Sequence, residues 1–177
     1  MKSDIIKIDN QGNGFTEAIQ ETQKTAEYQG LEKKEIICLK MVAEEMLSLA
    51  RSVTGEMQAN FWLESEGKAF ELFMTTKTVM DKDKRYQLIS STTSRQNEIR
   101  KSFLGKLRDS FEQAMAADGD RVYYELPSTL SDDVSGAYVE DPEWDGYERS
   151  VLRGLADDIK IAIKGSEVKM TVSKRFS

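Results

Sequence analysis

A chain of 177 residues with 39% apolar and 32% charged side chains is long enough for one domain with a real core, and the sequence predicts a single domain over residues 1–177. The absence of histidine excludes Ser/His/Asp and Cys/His catalysis and histidine-ligated zinc, while the single cysteine, Cys38, excludes a disulfide within the chain. The formal charge of −6 argues against a nucleic-acid partner, and the lack of a long apolar run or a signal-peptide pattern predicts a cytoplasmic protein that does not enter the membrane.

The first third of the chain predicts a short strand followed by two helices. Residues 4–9 alternate weakly, as in a strand, and the turn-rich QGNG follows. A helical stripe over 15–28 stops at Gly30, which is placed as a helix C-cap. A second helix keeps the 3,4,3 apolar spacing of a buried face over 36–53, and Gly55 ends it.

Two alternating segments, 57–63 and 70–74, are joined by ESEG and predict an antiparallel hairpin of half-buried strands. A short helix is predicted over 81–89. The clearest hairpin in the chain consists of 159–163 and 168–172, which alternate strictly around the turn KGS.

The middle of the chain combines helix patterns with an acidic stretch. A helix is predicted over 96–116 after the hydroxyl-rich SSTTS, and another over 145–157. Residues 118–145 are predicted to form a long loop within a stretch, 118–148, that holds ten acidic residues and one arginine. Its aromatic residues either form a partner-binding surface or hold the loop against the domain; they are Tyr123, Tyr124, Tyr138 and Trp144.

The predicted order is strand, helix, helix, hairpin, helices, loop, helix, hairpin. Because four of the five confident strands lie in antiparallel hairpins with polar outer positions, this order predicts an α+β two-layer sandwich. Its sheet is expected to be mixed but mostly antiparallel, with the helices packed on one face.

Two stretches carry a resemblance to a known family. VAEEMLSLA at 42–50 is similar to the N-box helix of the histidine-kinase-like ATPases (GHKL or Bergerat fold), including the doubled glutamate. SVLRGLADDIKIAIKGSEVKMTVSKRF at 150–176 is similar to the last helix and closing hairpin of the anti-sigma-factor serine kinases within that superfamily. The resemblance covers most of the chain and implies the histidine-kinase-like ATPase fold.

The resemblance also implies a metal and base position on the second helix. In the family the N-box is Glu-x-x-x-Asn, with a general-base glutamate and a magnesium-binding asparagine one helical turn later. The corresponding positions here are Glu45 and Leu49, and a leucine offers Mg²⁺ no oxygen. We therefore expect Glu45 to be structural or solvated, with a role in ligand chemistry as the alternative, and Glu44 to be an ordinary helix charge.

The two glycine-containing boxes of the family are also altered. The adenine-binding Asp-x-Gly-x-Gly corresponds to MTTKTVMDK at 74–82, with Thr76 near the aspartate position, Thr78 beside it and no glycine. The phosphate-binding Gly-x-Gly corresponds to Gly146-Tyr147-Glu148, in which one glycine is kept and an acid stands where phosphates would lie.

A separate anion-binding hypothesis comes from SSTTSR at 90–95 and the cations that follow it. Hydroxyls, a helix N-terminus and basic side chains could together hold a phosphate; the residues are Ser94, Arg95, Arg100 and Lys101. The alternative is that Thr93 or Ser94 only caps a helix and the cations are solvated.

These patterns predict a catalytically degenerate histidine-kinase-like ATPase domain that acts as a regulatory, anti-sigma-factor-like protein-binding module. No metal and no cofactor are expected, a protein partner is expected, and a homodimer is compatible with the pattern. One alternative is an active ATP-dependent protein serine kinase with divergent motifs, which would need ATP and Mg²⁺. The other is a sensor of a small anionic ligand.

Overall fold

The computed structural model describes residues 1–9, 11–54, 58–98 and 146–177. In chain order, its helices and strands are β1 (Ile6–Asp9), α1 (Phe15–Tyr28), α2 (Lys33–Thr54), β2 (Gln58–Glu66), β3 (Ala69–Lys77), α3 (Lys82–Ser91), α4 (Gly146–Leu155), β4 (Asp158–Lys164) and β5 (Glu167–Arg175).

The five strands form one sheet in the order β1-β2-β3-β5-β4, and every neighbouring pair is antiparallel. Both predicted hairpins are present as β2–β3 and β4–β5, and β5 lies between β3 and β4. The only parallel pairing among the described residues is an isolated bridge between Asn97 and Ile161. The predicted α+β two-layer architecture is confirmed.

The helices cover one face of this sheet. Alternate strand residues such as Phe61, Leu72 and Met170 are fully buried, whereas the residues between them are half-buried or exposed. Helix α2 supplies the other side of the core through side chains at helical spacing, from Leu39 to Ala50. The opposite face of the sheet carries no helix in the described part of the chain. No described helix is long and apolar enough to cross a membrane.

Both outer strands have their edges covered by neighbouring chain. On β1, the Asp9 N–H donates to the carbonyl of Asn13 at 3.2 Å, and Gly14 packs directly against the Lys7 carbonyl. On β4, Thr93 exchanges two hydrogen bonds with Ile159: its N–H donates to the Ile159 carbonyl at 2.9 Å, and its Oγ1 accepts from the Ile159 N–H at 2.7 Å. These bonds satisfy part of the edge backbone groups that could otherwise recruit a foreign strand.

The α4–β4 junction is tied to the end of β5 by one carboxylate. Asp157 accepts a hydrogen bond from the Arg175 N–H at 2.7 Å and another from Lys174 Nζ at 3.1 Å. Burial raises the pKa of Asp157, but these two donors outweigh it, so that the pKa lies below its ordinary value. Phe176 then packs edge-on against Phe70 of the core. The Asp-Asp-Ile and Lys-Arg-Phe stretches thus hold the α4–β4 junction and the end of β5 together.

The predicted helix bounds that fall within the described residues agree closely with the structure. Helix α3 begins after Asp81, whose side chain caps it by accepting from the Lys84 N–H at 2.8 Å, and it extends to Ser91. Residues 92–97 follow the edge of β4, and Glu98 is helical, close to the predicted start of a helix at about Gln96. Residues 99–116 and the acidic loop 118–145 with its aromatics lie outside the described residues.

Candidate functional site

The predicted base position, Glu45, and the predicted metal position, Leu49, lie on α2. Glu45 is half-buried and Glu44 is exposed, as expected for a helix charge. Leu49 is 6% exposed and belongs to the hydrophobic core. The residue that would have to provide the oxygen for a cation is therefore a core side chain. Among the described residues, no cluster of three acidic, cysteine or histidine side chains could hold a metal ion.

The predicted adenine positions lie at the end of β3. Thr76 is 5% exposed, and its hydroxyl donates to the carbonyl of Gln58 on β2 at 3.1 Å. Thr78 is also buried, and its backbone N–H donates to the carbonyl of Ser166 in the β4–β5 turn at 2.9 Å. Both threonines hold the end of β3 to its neighbours.

The predicted phosphate position is at the start of α4. Gly146 is the first residue of that helix, and α4 packs against α2 in the helical layer through Leu152, which is 1% exposed. The residues before Gly146 lie outside the described part of the chain.

The four anion-site candidates are only partly described. Ser94 and Arg95 are exposed, and Arg95 has a φ of 54°, in the left-handed region. The Ser94 hydroxyl accepts from the N–H of Gln96 at 3.3 Å, within a bend and not at a helix start. Arg100 and Lys101 lie outside the described residues. The structure thus places Ser94 and Arg95 on the surface beside β4.

The open face of the sheet contains a row of side chains that the sequence analysis did not single out. The Trp62 and Phe73 rings of β2 and β3 are stacked, with centroids 5.2 Å apart and planes 11° from parallel. Lys2 Nζ lies 5.5 Å from the centroid of the Trp62 ring, and Lys169 Nζ lies 5.2 Å from that of Phe73. Each ring therefore has the other ring on one face and a cation near it.

Beside this aromatic row lies a groove of about 910 Å³ that crosses the strands. Its floor consists of short side chains from the row of cross-strand partners Asn60, Thr75 and Ala162. Four lysines and two carboxylates line it, and these are Lys7, Lys77, Lys164, Lys169, Asp9 and Glu167.

The carboxylates of the groove already have partners. Asp9 accepts from the Asn13 side chain at 2.7 Å and from the N–H of Gln11 at 2.9 Å, and chiefly the Asn13 hydrogen bond holds its pKa below the ordinary value. Glu167 pairs with Lys77 at 3.5 Å. The groove thus has a net positive charge, from four lysines and two carboxylates. Sequence reasoning missed it because its lysines come from four strands whose order is a property of the sheet.

No protein-family model matches the chain, and no curated protein matches it significantly. The resemblance to histidine-kinase-like ATPases stays a prediction.

Proposed function

We propose that this protein is a regulatory protein-binding module on a histidine-kinase-like ATPase scaffold that no longer performs phosphoryl transfer. The observation that carries the proposal is the burial of Leu49, four residues after Glu45 on α2. A hard cation such as Mg²⁺ needs oxygen ligands, and a core leucine offers none. Without the metal, the charge that develops on a transferring phosphoryl group lacks its main counter-ion.

The end of β3 supports the same conclusion. Thr76 and Thr78 are used to join β3 to β2 and to the β4–β5 turn, so these positions serve the sheet. The proposal includes a cytoplasmic location, a protein partner and no cofactor, and it is compatible with a homodimer.

An active ATP-dependent protein serine kinase is the second candidate. Two observations favour it: Glu45 is half-buried, not fully enclosed, and Gly146 is the first residue of α4, where backbone N–H groups could receive phosphates. The anion-sensor hypothesis has less support, since Ser94 and Arg95 lie in an exposed bend and the other two candidates lie outside the described residues.

Isothermal titration of the full chain with ATP and Mg²⁺ separates the first two candidates. The proposal predicts no heat of binding and no transfer of labelled phosphate to a protein substrate. Micromolar binding that Glu45→Ala abolishes, and that the matched variant Glu44→Ala leaves intact, would overturn it in favour of the kinase. Glu44 is a suitable control because it is adjacent on the same helix and exposed.

A further inference from the structure

We infer that the groove on the open face of the sheet binds an acidic, extended segment of a partner protein. The inference rests on the proposed function as a protein-binding module and assigns a surface and a chemical class to the partner. Its evidence is the charge of the groove, the shape of its floor and the contrast with the opposite end of the same face.

Among the described residues, the groove has more cations than carboxylates. It contains four lysines and two carboxylates, a net charge of +2. Lys77 pairs with Glu167, whereas Lys7 and Lys164 are exposed and make no ion pair within the described residues. Asp9 keeps its negative charge, but it is held by its own turn and pairs with neither of these two lysines in the described part of the chain. An incoming carboxylate would therefore meet two lysines that have no ion-pair partner to lose among the described residues.

The arrangement of these lysines suits an elongated ligand. Lys7 on β1 and Lys169 on β5 lie in one cross-strand row with Asn60 and Thr75 between them. Since neighbouring strands are about 4.8 Å apart, the path from β1 to β4 across the sheet is about 19 Å long. An extended peptide rises about 3.3 Å per residue, so about six residues would cross the groove. The asparagine and threonine of the floor can hydrogen-bond its backbone.

The other end of the open face has no excess of cations. A second cavity there, about 1060 Å³, is lined by three basic side chains, the N-terminal ammonium of Met1 and four carboxylates, so that its charges balance. Two of its cations form ion pairs: Lys2 with Glu64 at 2.9 Å and Lys174 with Asp157 at 3.1 Å. The face is thus polarised along its strands, and only one end complements an acidic ligand.

The aromatic row favours a peptide over a single-stranded nucleic acid. Nucleic-acid platforms of this kind use exposed ring faces on which bases stack. Here Trp62 and Phe73 use one face each for their mutual contact, and Lys2 and Lys169 lie over the rings.

The experiment is a fluorescence-polarisation titration of the full chain with a labelled oligoglutamate peptide of about eight residues, a little longer than the groove. The double variant Lys7→Glu/Lys164→Glu should weaken binding roughly tenfold or more, because it reverses the two unpaired charges. The matched control Lys33→Glu/Lys34→Glu changes the net charge equally at exposed positions at the start of α2, and it should leave binding within about twofold.

A second variant fills the groove without changing its charge. Thr75→Tyr places a large side chain on the floor and should also abolish binding, while a circular dichroism spectrum like that of the unmodified protein shows that the fold is kept. Amide chemical-shift changes on titration should fall on the strands that line the groove.

Three results would overturn the inference: equal weakening by the control variant, shift changes confined to the helices, or tighter binding of a single-stranded oligonucleotide than of the peptide. The MgATP titration decides the proposed function independently of these results. A protein that binds ATP and still binds oligoglutamate in the groove would refute the degenerate-site proposal alone, and one that binds neither would refute the groove alone.

Discussion

Asn97 forms both side-chain amide hydrogen bonds with the backbone of Ile163: Nδ2 donates to the Ile163 carbonyl at 3.0 Å, and Oδ1 accepts from the Ile163 N–H at 2.9 Å. The amide thereby imitates a neighbouring strand at the edge of β4. Replacing it by alanine would leave a donor and an acceptor without partners, and we expect Asn97→Ala to lower the free energy of unfolding by about 1–3 kcal/mol.

Urea unfolding measures this loss. The matched variant is Gln96→Ala at the adjacent exposed position, which should change stability by less than about 0.5 kcal/mol. Equal stability of Asn97→Ala and the unmodified protein would show that the amide does not hold the edge.

Gly14 and Gly12 form a natural pair for testing close packing. Both have positive φ, +83° and +88°, but a Cβ on Gly14 would lie 2.1 Å from the Lys7 carbonyl oxygen, whereas one on Gly12 meets nothing within 4 Å. Gly12→Ala should cost about 1 kcal/mol for the left-handed conformation alone. Gly14→Ala should cost distinctly more, about 2–4 kcal/mol, because the β1 backbone must also shift. Thermal unfolding of the two variants compares them, and similar losses would contradict the tight contact.

The stacked pair on the open face should show energetic coupling. A double-mutant cycle with Trp62→Ala and Phe73→Ala is expected to give about 0.5–1.5 kcal/mol beyond the sum of the single changes, as for other cross-strand aromatic pairs. Since the pair lies on the solvent side of the sheet, each single variant should still fold. Strict additivity would indicate that the rings do not stack in solution.

Acid should weaken the junction between α4 and β5. The pKa of Asp157 is lowered in the folded state, so its contribution to stability is fully present above the pKa of the unfolded chain and is lost as the pH falls through the folded value. The stability difference between the unmodified protein and Asp157→Asn should therefore be constant above about pH 5 and shrink below it. Urea midpoints measured at a series of pH values test this, with exposed Asp4→Asn as the comparison.

Replacing Leu49 should lower the stability of the protein, as replacing a core residue does. Leu49→Asn restores the amide that a metal site would use, yet it removes buried methyl groups and buries a polar group, so we expect a loss of about 2–4 kcal/mol. Ser48→Asn, one residue earlier and exposed, should be nearly neutral. Chemical denaturation provides the comparison. A stable Leu49→Asn protein that binds MgATP would contradict both this prediction and the proposed loss of the metal site.

The hairpins and helices could be predicted from the sequence because their signals are local. The alternation in 159–163 and 168–172 places Ile161 opposite Met170 on the buried face, as the structure has it. The segment 90–98 could not be predicted in the same way. Its hydroxyl-rich sequence is typical of a helix cap, but Thr93 and Asn97 instead bond residues 66 positions away, a contact that no local pattern contains.

The candidate sites differ in the same way: one can be predicted from a local pattern, and the other depends on the strand order. The change at position 49 could be read from the sequence alone. The family resemblance implies an asparagine there, and a leucine has no oxygen atom with which to bind a cation. The groove required the strand order. Lys77, Lys164 and Lys169 become neighbours only because β5 enters between β3 and β4, and strand order depends on packing across the whole domain.

The position of β5 between β3 and β4 also affects the order in which the strands can pair during synthesis. The strands β1, β2 and β3 can pair as they leave the ribosome, but β4 has no strand to join until β5 follows it and bridges the two parts. A nascent chain that stops after β4 therefore leaves the backbone N–H and C=O groups along one edge of β3 without the strand that pairs with them in the finished sheet.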